Sequence, residues 1–294
     1  MKRYNAIFFD WDGTAVYSRT SPTQDVIAAM KPLLHAGVAL AIISGTTIEN
    51  IAGGKLHHAF TPEERQSLFY GLARGAYNYR FDENGELCTF ASGVPDTDAL
   101  LGIHRACFAL HQWLLEEHDL PTDIVFSRPN YCKIDLMCSQ SRGDQLYMQG
   151  DEIARLNALL AKHGLPDGVQ TLIDKASALG QAEGLTLKAT TDAKYLEVGP
   201  TLKSDNTDAI FTYLRQTRGL TADACSFWGD EFIRVDRDTY GSDSYMMTDL
   251  TLGGDFFDVS ALEGDRPSCV AHIGGGVERF VGALRELGDM LAKE

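Results

Sequence analysis

Ala6-Ile7-Phe8-Phe9-Asp10-Trp11-Asp12-Gly13-Thr14 is a short apolar run that ends in two carboxylates and a glycine. Four apolar residues bounded by polar ones read as a buried strand. On an extended chain, residues two apart share one face. Here the strand is ending, and the turn that Gly13 permits lets both carboxylates approach one substrate. Two crowded carboxylates disfavour each other's charge unless a cation or a transferring anion sits with them. The stretch therefore reads as a reaction centre at a strand end.

Downstream, strand and helix alternate. Ser21-Pro22 opens a helix with apolar positions Val26, Ile27, Met30, Leu33 and Leu34, closed by Gly37. Pro32 inside that pattern is expected to kink or split it. Residues 38–43 are continuously apolar, as a parallel strand buried on both faces requires. They lead into Ser44-Gly45-Thr46-Thr47, where a helix is predicted to start. This order predicts a doubly wound α/β sheet.

The middle of the chain differs. Residues 77–89 read as a hairpin around Asp82-Glu83-Asn84-Gly85, where Asn-Gly supplies the left-handed turn. A helix over 100–117, β-rich stretches at 124–126 and 131–137, a helix over 149–163 and a strand at 195–198 predict an α+β module with an antiparallel sheet. From Lys203 the α/β pattern returns, with helices over 206–218 and 277–291 and strands at 225–228 and 269–272. Linkers at 72–76 and 199–202 divide the chain into a discontinuous core, 1–75 and 203–294, and an inserted module, 76–202.

Bulk properties limit the function. The 294 residues allow one large or two medium domains. A formal charge of −15 argues against nucleic acid or an anionic membrane as the main partner. It leaves room for a small phosphorylated substrate, because a metal and one lysine reverse the field locally. The apolar run at 6–9 is too short for a signal-peptide core, and no apolar run long enough for a membrane span occurs. Six cysteines form no CxxC pair, so reduced thiols and a cytoplasmic location are expected.

Four motifs, taken in order, resemble those of the haloacid dehalogenase superfamily of phosphatases and phosphomutases. The first is DWDGT. The resemblance makes Asp10 the nucleophile that forms an aspartyl-phosphate, and Asp12 the acid/base, a residue that the family's dehalogenases lack. The second is AIISGTT, where Ser44, aided by the backbone around Gly45, would hydrogen-bond a phosphoryl oxygen. The third is Lys203 in GPTLKSDN, a lysine at a helix start, where the macrodipole disfavours it unless it faces a phosphate. The fourth is Trp228-Gly229-Asp230-Glu231. By resemblance, Asp230 would bind Mg²⁺ with the Asp10 carboxylate and the Asp12 backbone carbonyl, and oxygen ligands favour Mg²⁺ over zinc or iron.

The fourth motif departs from the family pattern. Relatives place a second acidic residue a few positions on, whereas here an insertion carrying Asp236 and Asp238 intervenes before Gly241-Ser242-Asp243. Asp243 is the preferred second acid for the metal, Asp236 is the alternative, and Asp238 is expected in solvent. Glu231 reads equally as part of the metal and water network or as a surface carboxylate.

Only 32 residues separate Asp12 from Ser44, whereas 159 separate Ser44 from Lys203. The module therefore lies between motifs two and three, which resembles the C2 cap arrangement of the superfamily. Its paired strands suggest the B subtype of Cof-like sugar phosphatases and phosphomannomutases. Within it, Ser127-Arg128-Pro129-Asn130-Tyr131 resembles the phosphomannomutase stretch that presents an arginine to substrate. Arg128 is the first candidate for a second anion or sugar contact, ahead of Lys133 and Arg142. The resemblance implies a Mg²⁺-dependent phosphatase acting on a small phosphorylated metabolite, a sugar phosphate for preference. The alternative is a sugar phosphomutase.

Overall fold

A computed structural model describes residues 2–143, 147–148, 150–237 and 239–293. Asp238 and Gln149 lie outside the described residues. In chain order the elements are β1 (Ala6–Phe9), α1 (Gln24–His35), β2 (Ala39–Ser44), α2 (Pro62–Arg65), β3 (Leu68–Leu72), β4 (Tyr77–Phe81) and β5 (Leu87–Ser92). Next come α3 (Thr97–His118), β6 (Asp123–Val125), β7 (Cys132–Asp135), α4 (Glu152–Lys162), α5 (Val169–Ala182), β8 (Lys188–Thr191) and β9 (Tyr195–Gly199). The chain closes with α6 (Lys203–Arg218), β10 (Cys225–Gly229), β11 (Asp255–Asp258), β12 (Val270–His272) and α7 (Gly276–Leu291).

The large sheet has the order β12-β11-β10-β1-β2-β3-β4-β5. It is parallel from β12 to β3 and antiparallel across β4 and β5. Alternation along β1 fills both faces: Ile7 and Phe9 pack with α1 and α7, while Ala6 and Phe8 pack with α6. Phe8 stacks on Phe227 of the neighbouring strand at 4.9 Å between ring centroids. This is the expected doubly wound core. Strand order reverses at β1, and the crevice at the carboxyl ends of such strands is where this architecture holds ligands.

The hairpin expected over 77–89 in the inserted module runs to Ser92 in the structure. Rather than joining the module, β4 pairs with β3 and, with β5, continues the large sheet. We therefore place the start of the module after Ser92. A second sheet, β6-β7-β9-β8, is antiparallel, with α3 and α5 packed on it. Among the described residues no helix is long and apolar enough to cross a membrane.

Other expectations fail for local reasons. The α-helix expected to start at Thr46 or Thr47 does not form. Short 3₁₀ turns replace it, broken where Ala52, Gly53 and Gly54 take φ of 51°, 64° and 75°. Pro32 does not split α1: the bond that its missing N–H forfeits falls in the last turn, so only three residues of helix lie beyond it, and its ring packs against Gly288 of α7. Elements β3, β11, α5 and β8 carry no decisive sequence punctuation, and only the structure reveals them.

Candidate active site

The carboxyl ends of β1, β2 and β10 bring the motifs together. Asp10 leaves β1 buried, its Oδ1 accepting the Trp11 N–H at 2.7 Å. Lys203 is the first residue of α6 and is buried between two carboxylates, 3.0 Å from Asp10 Oδ2 and 2.7 Å from Asp243 Oδ1. The other Asp243 oxygen accepts the backbone N–H groups of Asp230 and Glu231 at 2.9 and 2.8 Å. Asp243 thus fixes both the lysine and the turn after β10. Asp230 accepts the Thr14 hydroxyl at 2.8 Å.

Two glycines make this crowding possible. Gly13 takes φ +85°, and a Cβ there would stand 2.3 Å from Asp230 Oδ2. A Cβ on Gly229 would be equally close to Asp243 Oδ2. Any side chain at either position would drive the acidic residues apart.

Electrostatics follow from burial. Desolvation pushes the Asp10 carboxyl up to about 7, with Asp243 and Asp12 adding to the rise and Lys203 opposing it. Burial, with Asp243 and Glu231 nearby, raises Asp230 as well. Burial alone would depress the Lys203 ammonium, but Asp10 and Asp243 outweigh it and keep the lysine charged. Oxygens of Asp10, Asp230 and Asp243 lie within 4.8 Å of one another. Three carboxylates against one ammonium leave a surplus of two negative charges in a buried space. A hard divalent cation fits that surplus in charge and donor type.

Asp12 faces the same cleft. Arg19 Nε lies 3.3 Å from its Oδ2, while its buried Oδ1 has no hydrogen-bond partner. Burial raises its pKa and Arg19 restrains the rise. Ser44 is buried at the end of β2, its Oγ 3.5 Å from the Thr46 N–H, the outer limit of a hydrogen bond. The Gly45 carbonyl accepts the Tyr131 hydroxyl of the inserted module at 3.0 Å.

Asp236, the alternative metal ligand, stands elsewhere. Its Oδ2 accepts the Gln170 N–H at 3.2 Å at the start of α5, and Ile233 and Val235 beside it join the module's apolar core. The insertion in motif four therefore clamps core to module. Glu231 is buried in the cleft rather than on the surface, taking the Ser242 hydroxyl at 2.8 Å and the Met148 N–H at 3.3 Å. Arg128 lies half-buried along the cleft, and Lys133 pairs with Glu197 at 2.5 Å. Arg142 turns away to Glu152 and Asp192 within the module.

Sequence reading missed Arg74 and Glu197, which meet in the cleft wall at 3.0 Å. Glu197 carried a signal, an ionisable residue inside the otherwise apolar strand Leu196-Glu197-Val198. Arg74 carried none, because β3 before it was not recognised.

No family model matches the chain, and no curated protein matches it by sequence. In structure it is similar to the IMP-nucleotidase of Plasmodium falciparum, at 11% identity and a TM-score of 0.59, covering 97% of this chain and 71% of that one. It is also similar to the sucrose-phosphatase of Synechocystis in complex with sucrose and phosphate, at 14% identity and a TM-score of 0.53, covering 99% of both chains. The chain shares the fold of these two proteins. At this level of identity the likeness establishes architecture, a large α/β core with an α+β module inserted between its second and third motifs.

Proposed function

We propose that this chain is a phosphatase of small phosphorylated metabolites, sugar phosphates for preference, acting through an aspartyl-phosphate on Asp10. One observation carries the reading. Asp10 and Asp12 leave the same strand end, Lys203 and Asp243 approach from two other elements, and the cleft they share with the inserted module is lined mainly by polar groups. Bound at Asp10, Asp230 and Asp243, with the Asp12 carbonyl, Mg²⁺ would neutralise surplus negative charge and draw charge from the phosphoryl oxygens.

The residues then divide the work. An Asp10 oxygen attacks phosphorus in line, and the bond to the leaving oxygen breaks while Asp12 delivers its proton there. Burial raises the Asp12 pKa, which favours the proton-carrying form that this role needs. In the second step Asp12 takes a proton from water, the water oxygen bonds to phosphorus, and the Asp10 carboxylate departs. Lys203 and Ser44 stabilise charge on the non-bridging oxygens in both steps. The inserted module covers the cleft, excludes bulk water and offers Arg128 to the leaving group. Phosphate release with Mg²⁺ across a panel of sugar phosphates and nucleotides, with Asp10→Asn as the blank, tests the reading. No release from any of them would overturn it.

A further inference from the structure

Ala73, Arg74 and Gly75 take three consecutive left-handed backbone conformations, with φ of 51°, 52° and 94°. For a non-glycine residue this conformation is strained, and such strain persists only where neighbours over-determine it. Here they do. The Arg74 carbonyl accepts Thr201 Oγ1 at 2.6 Å and Asn130 Nδ2 at 3.1 Å, and the Gly75 N–H donates to Asn206 Oδ1 at 2.6 Å. The strained turn sends the Arg74 side chain into the cleft, where its guanidinium lies 5.0 Å from the centre of the Tyr131 ring.

Arg74 is 2% exposed; its Nη1 lies 3.0 Å from Glu197 Oε2 as an ion pair, but not in the alignment of a hydrogen bond, so neither terminal nitrogen has a hydrogen-bond partner. Structural arginines in this chain behave differently. Arg65 spends its donors on the carbonyls of His57, Phe60 and Gly85, and Arg266 on Asp258, Gly264 and Leu262. A buried guanidinium with unspent donors needs an acceptor that arrives from outside. Charge says which kind. Glu197 is shared between Arg74 and Lys133, and Asp192, which lines the same cleft, is paired with Arg142, so Arg74 and Lys133 have one committed anion between them, with Arg128 adding a third cation along the cleft. Arg19 is already committed to Asp12, and Lys203 to Asp10 and Asp243.

We infer that Arg74 is a substrate-binding residue and that the substrate carries, beyond the transferred phosphoryl group, a second anionic group, carboxylate or phosphate, which Arg74 receives beside Lys133. This rests on the phosphatase reading above, and binding separates the two. In the full chain carrying Asp10→Asn, with Mg²⁺ present, calorimetric titrations would compare glucose 6-phosphate, 6-phosphogluconate and glucose 1,6-bisphosphate. One of the doubly anionic ligands should bind about tenfold more tightly than glucose 6-phosphate or better, as expected for a charge-assisted pair. Preference for the gluconate identifies a carboxylate, and preference for the bisphosphate a phosphate. Adding Arg74→Gln should abolish the preference, and Arg74→Lys should retain part of it. Glu197→Gln, which removes the competing anion, should enlarge it. Equal binding of all three ligands, or an equal loss on all three with Arg74→Gln, would overturn the assignment. Because no turnover is needed, failure of the chain to release phosphate would count against the phosphatase reading alone.

Discussion

Asp243 holds the Lys203 ammonium at 2.7 Å across forty residues of chain, and its second oxygen receives two backbone N–H groups of the turn after β10. A single buried carboxylate thereby sets the position of the cation beside Asp10 and of the acidic turn that carries Asp230. Asp243→Asn should lower kcat by about 100-fold or more, since a misplaced cation forfeits charge stabilisation of the transition state. Asp236→Ala should leave kcat near the native value and cost about 1 kcal/mol of stability, the typical worth of a helix-start contact. Phosphate release and thermal melting of the two variants would separate the two aspartates. The reverse pattern would exchange their roles.

Asp10→Asn should abolish turnover while the melting temperature is retained or raised, because burial and neighbouring carboxylates already disfavour charge at this position. Asp12→Ala should slow both chemical steps by roughly 10²- to 10⁴-fold, the usual contribution of a positioned acid/base. Appreciable phosphate release from the Asn variant would remove Asp10 as nucleophile.

Metal removal should show a pH signature. Without metal, burial holds protons on Asp10 up to about 7 and on Glu231 up to about 8. The unfolded carboxyls have lost theirs by about pH 5. The folded state then binds more protons than the unfolded one, so metal-free stability falls as pH rises through this window. A cation that needs ionised ligands offsets that fall. Saturating Mg²⁺ should therefore raise the melting temperature by more at about pH 8 than at about pH 5.5, relative to chelator. An equal shift at both pH values would count against a metal bound by these carboxylates.

Glu197 behaves oppositely. Burial would raise its pKa, but Lys133 and Arg74 outweigh burial and hold it at about 2. A depressed carboxyl contributes stability that is fully present above its unfolded value of about 4.3 and is lost as pH falls toward the folded one. Acid unfolding of the native chain should therefore steepen below about pH 4, and Glu197→Gln should flatten that limb. The same variant should lose about 3 kcal/mol at neutral pH, because the buried Arg74 and the half-buried Lys133 are left without their shared partner. Unchanged acid unfolding would mean that the pair contributes nothing to stability.

How far the site was legible depended on where each residue lies along the chain. Asp10, Asp12, Ser44, Lys203 and Asp230 each sit at a strand end or helix start that punctuates the sequence within a few residues. Asp243 could be preferred over Asp236 by its flanking residues, but nothing local separates a carboxylate that holds Lys203 from one that meets the start of α5. The hairpin at 77–92 was legible as a hairpin, yet its partner strand was not, because β3 is a five-residue buried run with no alternation.

The apolar strand Ile7-Phe8-Phe9, the doublet Asp10-Asp12 and the spacing of the later motifs were enough to determine a doubly wound core with an inserted module and carboxylates gathered at a strand end. Those features are local, carried by periodicity and by residues adjacent in the chain. The tertiary structure decided which aspartate reaches Lys203, that the hairpin belongs to the large sheet, and that Arg74 and Glu197 meet in the cleft wall. Each of these is a pairing of distant segments, selected by the burial of charge and apolar surface in the folded whole.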